Sequence, residues 1–530
     1  MNIKSKKEII LLTSIILIQT IIFIILGFNK AYIHMDEAFS FGLASYDKIK
    51  IQNNEGFYNA WHNKEYYKDY LVVNEDEKND FWQVYENQKN DVHPPLYYLF
   101  LRIAMGFNVD NFSVWPGIIV NIIIYFFITI FTYLIIKKLL QNTIHKEIKS
   151  TILTLVSTLI LSSLTNVIYI RMYALSTLNI AITTYLHLKL LDTKKSDIKL
   201  LIGIGMSALV GSLTHYYYLF YLAMLGLMFV IKYLKEKEYE ELRKYIITMI
   251  IAGAFSLLIF PYSINHMFFG YRGQGAISNL ENVSKFFKSI SKYIEKVNFY
   301  VFNNCLWIIL PIIILLFTFK KLNKNKYLKY IVFPIMFYFL LVSISSPWIE
   351  LRYIMPICQM LFIVTMILII DGFSNIFKDR TSNILLVITI IILFTMPIIS
   401  NKILDVTDKT NFRIKNEVLY LNKKDIVNKL ENELNVPTIY LIHPKHNRFL
   451  DDILLFSKID ESYMALDFEC NEENLKLVMK EKDLSNGIVV FVSDGQDKNS
   501  KLEIIKKVFN LEKITHLERM NACDIYYISE

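Results

Sequence analysis

Apolar runs of near-spanning length recur at 9–28, 115–136, 151–168, 173–191, 200–213, 216–231, 245–263, 299–319, 330–346, 353–370 and 384–399. A helix needs roughly twenty residues to cross the hydrocarbon core, so the pattern predicts a mainly α, polytopic membrane helix bundle of about eleven spans. Beyond about Lys402 the pattern turns charged. Strand-like runs at 438–442, 488–492 and 525–528 alternate there with helical spacing at 474–480 and 501–509, which predicts a small C-terminal α/β domain. The expected organisation is a transmembrane domain over 1–400, a first outer loop over 29–94, and a soluble domain over 401–530.

Composition agrees: 54% of the 530 residues are hydrophobic and 20% charged, too apolar for one soluble core. Lys4, Lys6 and Lys7 before the first run resemble a secretory leader, yet the run is long enough to span and lacks a small-residue cleavage site, so it reads as an anchor. The net charge of +8 comes from Lys and Arg gathered at 137–138, 194–195, 232–244, 320–329 and 378–380. These are alternate loops, the mark of the cytoplasmic side, and no nucleic-acid partner is needed to explain them. The loop at 29–94 carries an acidic excess and falls on the other side, with the amino terminus inside and the tail outside.

Two phrases bring chemistry to that outer side: His34-Met35-Asp36-Glu37 after the first run and Asp91-Val92-His93-Pro94-Pro95 before the second. Ionisable groups beside lipid carry a desolvation cost and call for an explanation. Asp36 and Glu37 point about 100° apart on a helix, so they do not share one proton. Asp36 is the candidate general base, and the alternative is that the pair caps a helix start. His93 binds a phosphate, relays a proton or stiffens the Pro-Pro turn. The loop is too long for a mere connection, and its aromatic density argues against disorder and for a membrane surface or stacking on sugar rings. The ten residues after Pro95, with Arg102, form a short helix expected to lie along the interface.

Further polar groups fall at predicted outer helix ends: Arg171 with Tyr173, His215 with Tyr216, and Arg352 with Tyr353. A guanidinium suits a phosphate, with snorkelling as the alternative for either Arg. His215 contacts a head group or sugar, or joins an aromatic belt. Cys305, Cys358, Cys470 and Cys523 lack metal-ligand spacing; the last two are either one disulfide or free thiols. The tail has no glycine-rich phosphate loop and reads as an acceptor or partner site, or as a stabilising cap.

Taken in order, Asp36-Glu37, His93-Pro94-Pro95-Leu96-Tyr97-Tyr98, Arg171-x-Tyr173, Thr214-His215-Tyr216-Tyr217 and Arg352-Tyr353 resemble the GT-C membrane glycosyltransferases. The likeness is greatest to the bacterial branch related to protein O-mannosyltransferases and lipid A aminoarabinose transferases, and it covers about residues 1–400. It implies a multi-pass plasma-membrane enzyme with its active site on the extracytoplasmic face. A sugar would move from a polyprenyl-phosphate donor to an acceptor hydroxyl on an envelope glycan, lipid or protein, with inversion. The resemblance makes Asp36 the base, Asp91, close to His93, the second acid that several relatives place in the first loop, Arg171 or Arg352 the counter-charge to the departing phosphate, and Glu37 an orienting group or a ligand to a divalent cation, whose use it leaves open. The segment 266–298, with Gly270-Tyr271-Arg272-Gly273-Gln274-Gly275, is a candidate gate. The competing readings are a lipid or glycan flippase, which predicts midplane charges and repeated halves, and an envelope-assembly protein without turnover.

Overall fold

A computed structural model describes residues 6–30, 32–45, 51, 56–280, 283–318, 325–404, 430, 436–443, 448–466, 470–479, 482, 486–520 and 523–530. Residues 320–324 of one expected basic loop and most of the stretch between the last long helix and the C-terminal strands lie outside the described residues. The chain divides into two units. The first holds Met1–Ile25, Asp91–Tyr97 and Ile118–Asn411; the second holds Leu26–Asn90, Tyr98–Gly117 and Phe412–Glu530.

Helices dominate, and the protein is a multi-pass membrane protein. Among the described residues five helices are long and apolar enough to cross a bilayer: Lys6–Asn29, Trp115–Leu139, Tyr218–Glu236, Tyr239–Ile259 and Met355–Ile376. A sixth span is possible by length if the pair Lys146–Thr158 and Leu161–Ile168, bent by 59°, counts as one. The expected count of about eleven is not confirmed among the described residues. Runs that read as spans fold as shorter apolar helices, Ile198–Ser212, Leu306–Leu316 and Lys329–Ser345. The runs at 173–191 and 384–399 form the continuous helices Tyr173–Leu190 and Asp379–Leu404, which are not among the five; in the bent pair the Ser163 hydroxyl donates to the Ser157 carbonyl at 3.0 Å.

Burial within the first unit follows helical periodicity. Helix Tyr218–Glu236 buries Tyr218, Tyr221, Leu225, Phe229 and Tyr233, a stripe spaced by three and four, and leaves Leu227, Ile231 and Leu234 exposed, as a lipid-facing helix does. Helix Met355–Ile376 starts with proline in its first turn and is buried on most faces. Its central Gln359 donates to Thr132 and Ser157 hydroxyls at 3.3 Å, which satisfies a polar group where no water reaches.

The loops expected on the cytoplasmic side meet at one end of this unit. Asp192 accepts from Lys138, from Lys326 at 2.9 Å and from the Tyr327 hydroxyl at 2.6 Å. Glu8 of the first helix accepts from Lys137 and from Tyr133 at 3.0 Å. Helix Tyr173–Leu190 leads away from that end over 18 residues, about 27 Å, so Arg171 and Tyr173 belong to the opposite end.

The second unit is built on a six-stranded sheet ordered β1-β3-β2-β4-β6-β5, where β1 is Trp61–Asn63, β2 Thr438–Ile442, β3 Glu461–Leu466, β4 Ile488–Ser493, β5 Lys513–Met520 and β6 Cys523–Ser529. Strands β2, β3 and β4 run parallel; the outer pairings are antiparallel. Central β2 and β4 are buried throughout, the unbroken apolar run that parallel interior strands require. Helices Glu472–Met479 and Lys498–Phe509 contribute Leu475, Leu502 and Ile505 to the core against them. The edge strand β1 comes from the first loop, in register Trp61 opposite Tyr463, so loop and tail share one sheet. All four cysteines are free and buried, which decides between the two readings of Cys470 and Cys523.

Candidate functional site

In the second unit, the phrase His34-Met35-Asp36-Glu37 opens helix Met35–Ala44. His34 is the N-cap: its Nδ1 accepts the Asp36 N–H at 3.1 Å, and the Glu37 carboxylate reaches back to the His34 N–H at 2.8 Å. This capping box satisfies donors that a helix start leaves open. The Glu37 carboxylate also binds the Lys30 ammonium at 2.9 Å, with the side chains 0% and 1% exposed. Glu37 thus takes part in the helix cap and pairs with Lys30. Asp36 keeps part of its carboxylate exposed, 3.5 Å from His34 Nδ1.

The helix is held by its neighbours within the same unit. Asn87 donates to the carbonyls of Leu43 at 3.3 Å and Ser45 at 2.9 Å. Buried Arg102, on the short helix Leu96–Met105, donates to the carbonyls of Ala44, at 2.9 Å, and Glu77. Gly42 has no room for a side chain, since a Cβ there would lie 2.2 Å from the Tyr70 ring. From the tail, Asp451 accepts the Met35 N–H at 2.7 Å. Nothing in the sequence singled out this carboxylate or its partner Arg448.

The first unit gathers the remaining candidates. His93 Nδ1 and Asp91 Oδ2 lie 2.7 Å apart; the imidazole donates, because a carboxylate only accepts. Burial pushes the Asp91 carboxyl up, but the His93 charge and hydrogen bond, the Val92 N–H and the Arg171 guanidinium outweigh it and hold the group well below the usual carboxylate range. Asp91 is ionised. His215 goes the other way: burial first, then the positive charges of His93 and Arg171, push its pKa down to about 3, so it is neutral. Its Nδ1 accepts the Tyr217 N–H at 3.1 Å. Burial and the Asp91 charge raise the Tyr216 phenol well above its usual value, and its hydroxyl meets His266 Nδ1 at 2.9 Å.

Aromatic rings carry the cluster onward. Tyr173 lies 5.4 Å from the His215 ring and stacks at 6.1 Å on Tyr169, whose hydroxyl accepts from Arg352 at 3.5 Å. The Arg352 guanidinium sits over the Tyr353 ring at 5.2 Å, and Tyr353 meets Tyr217 at 5.9 Å. Asp91, His93, Arg171, Tyr173, His215, Tyr216, Arg352 and Tyr353 therefore form one linked set. Asn121 organises its floor: its amide donates to the carbonyls of Val167 and Tyr169 at 3.1 and 3.0 Å and accepts from Tyr97 at 3.2 Å. Sequence reasoning passed over Asn121, Tyr169 and His266. The first sits inside an apolar run, where a lone amide is a usable signal.

An apolar cavity of about 520 Å³ opens beside this set, lined by Ser212, Tyr216, Ala223, Gly226, Tyr245 and Ser256 among others. Tyr216 belongs to both. The candidate gate folds as a π-helical turn, Asn265–Phe269, followed by helices Tyr271–Leu280 and Val283–Tyr300. Arg272 stacks on Trp348 at 4.4 Å. Gly273 is required there, since a Cβ would come within 2.4 Å of the Met267 carbonyl. Among the described residues no group of three or more His, Cys, Asp or Glu side chains stands together, so no residue set is assigned to the divalent cation that the resemblance leaves open.

A bundle of spanning and broken helices, basic loops tied at one end and a buried polar cluster at the other, defines a polytopic membrane protein with the GT-C fold. No protein-family model and no curated protein matches the chain. Among solved structures, ArnT from Cupriavidus metallidurans bound to undecaprenyl phosphate aligns over 99% of this chain and 98% of its own, with a TM-score of 0.51 at 8% identity. The same protein in the apo state aligns over 98% and 97%, with a TM-score of 0.47 at 9% identity. The first of these likenesses, at 8% identity, establishes the fold alone, and it is the fold expected from the sequence motifs.

Proposed function

We propose that the chain is a glycosyltransferase that moves a sugar from a polyprenyl-phosphate donor to an acceptor hydroxyl on the extracytoplasmic side of a bacterial plasma membrane. The observation that carries this reading is the adjacency, within the first unit, of a buried charged cluster and an apolar cavity that share Tyr216. A polyprenyl phosphate has the same two parts, an anionic head and an apolar tail, and the cavity volume lies within the ~300–1,000 Å³ of small-molecule sites. The structural neighbour ArnT binds undecaprenyl phosphate, which supports the same class of carrier here.

In this reading the acceptor oxygen attacks the anomeric carbon while the bond from that carbon to the phosphate oxygen breaks. The phosphate leaves with the bonding pair and the acceptor proton passes to the Asp36 carboxylate. A single in-line displacement inverts the anomeric centre. Arg171 and Arg352 supply positive charge where negative charge grows, the place where it lowers a barrier most. Within the first unit the Asp91–His93 pair and neutral His215 stand with Arg171, and Tyr173, Tyr216 and Tyr353 offer faces to the sugar or the first isoprene units. The acceptor is an envelope glycan, lipid or protein.

The test is mass spectrometry of envelope fractions from cells carrying the protein, cells lacking it, and cells carrying Asp36→Asn. A hexose or pentose increment present only with the unaltered protein is the expected result. An increment that survives loss of the protein overturns the enzyme, and one that survives Asp36→Asn overturns Asp36 as the base.

A further inference from the structure

Nothing in the proposed chemistry uses the C-terminal strands, yet within the second unit the tail touches the helix that carries Asp36. The single turn Phe449–Asp451 packs on helix Met35–Ala44. Asp451, 1% exposed, holds two partners with one carboxylate: Oδ1 accepts the Met35 N–H at 2.7 Å, and Oδ2 accepts Nε and a terminal N–H of Arg448, both at 2.7 Å. The guanidinium is thereby fixed, through a single side chain, to the backbone next to Asp36. It is 46% exposed, and Asp451 engages two of its five N–H donors.

We propose that Asp451 and Arg448 are positioning residues for Asp36: Asp451 pins the first turn of the helix and, with the same carboxylate, holds the positive charge of Arg448 beside that turn. The inference rests on Asp36 being the base, as proposed above. His34 lies 3.5 Å from Asp36 on its own helix cap, while Lys30 and Glu37 are paired with each other. Helices Lys64–Leu71 and Phe81–Lys89 meet the other end of the helix through uncharged groups, the Tyr70 carbonyl on the Ser45 hydroxyl at 3.3 Å and the Asn87 amide on the Leu43 carbonyl. Among the described residues of the tail, Arg448 brings a cation to this turn, with Asp451 and Asp452 beside it. Burial weakens the proton affinity of Arg448, but Asp451, Asp452 and Asp36 together raise it. That coupling is reciprocal, so the same guanidinium favours the charged form of Asp36.

Dicyclohexylcarbodiimide, which reacts with protonated carboxyls, gives a readout that needs no substrate. Full-length protein in nanodiscs is labelled across a pH series, and the Asp36 peptide is quantified by mass spectrometry. In Arg448→Gln and Arg448→Met, both at a half-exposed position, the labelling midpoint should move up by about one pH unit or more, and Arg448→Lys should bring it back towards the unaltered protein. His34→Gln, made in both backgrounds, should leave that difference in place. A midpoint unchanged by either charge-removing variant overturns the role of Arg448. Sugar transfer by Asp36→Asn is read separately: retained transfer would sink the base assignment while leaving the labelling shift intact, so the two failures are distinguishable.

Discussion

Glu37 and Asp36 are neighbours on one helix turn with different surroundings, and substitution should separate them. The Lys30–Glu37 pair is closed to solvent and lies at 2.9 Å, and removing one member strands the other charge in a site that cannot solvate it. Glu37→Gln keeps an oxygen for the His34 N–H but no charge for Lys30, and should cost about 3–5 kcal/mol, read as a lowered midpoint in thermal unfolding of detergent-solubilised protein. Asp36→Asn, at a partly exposed carboxylate, should leave that midpoint nearly unchanged while abolishing transfer. His215 gives a second residue-scale prediction. Its folded pKa, about 3, lies below the usual 6.5, so the unfolded chain binds the proton more tightly. The contribution is complete above pH 6.5 and is lost as pH falls towards 3, at a limiting slope of about 1.4 kcal/mol per unit. Between pH 7 and 4.5, above the window in which Asp91 titrates, the unaltered protein should lose stability more steeply than His215→Asn, and equal slopes would refute a neutral His215.

At the scale of elements, the break between Lys146–Thr158 and Leu161–Ile168 delivers Arg171 to the cluster, and Asn121 is what fastens the chain after it. Asn121→Leu leaves the buried carbonyls of Val167 and Tyr169 without this amide. The expected cost is roughly 1–3 kcal/mol in thermal stability, with a lower transfer rate because Tyr169 and Arg171 lose their support; an unchanged rate would separate the break from function. How much of this could be read in the sequence depends on the element. Long uniform runs such as Trp115–Leu139 announce themselves, and so do β2, β4 and β6, whose apolar stretches lie in the sheet interior. Strand β5, with its charged and exposed alternation, carries no such signal, and three-residue β1 is fixed by its partner alone. The bend between Lys146–Thr158 and Leu161–Ile168 has the same origin: hydropathy registers apolar length and not the serines inside a run, whose hydroxyls compete for backbone carbonyls. The candidate residues of the first unit were legible because ionisable groups at helix ends stand out against lipid-facing sequence. Arg448 and Asp451 were not, since charge in a soluble tail is ordinary.

At the scale of the whole chain, the feature that most changes the picture is a sheet assembled from two distant stretches, the first loop and the C-terminal strands. Trp61 and Tyr463 face each other across β1 and β3, rings 5.5 Å apart. Tyr67 and Ser462 share a hydroxyl–hydroxyl hydrogen bond at 2.7 Å, and Lys64 reaches Asp460 at 2.7 Å. The tail therefore templates the loop that carries Asp36, instead of merely following the helices. If so, a covalent bond at this register should form with little strain, because directly opposed strand positions hold their Cβ atoms near the separation a disulfide needs. Trp61→Cys with Tyr463→Cys should oxidise readily, and after proteolysis between residues 405 and 429 the two fragments should run together on a non-reducing gel and apart when reduced. Trp61→Cys paired with a cysteine at the out-of-register position Glu461 should not crosslink. Efficient bonding of that second pair, or none of the first, would mean that the loop does not add its strand to the tail in solution.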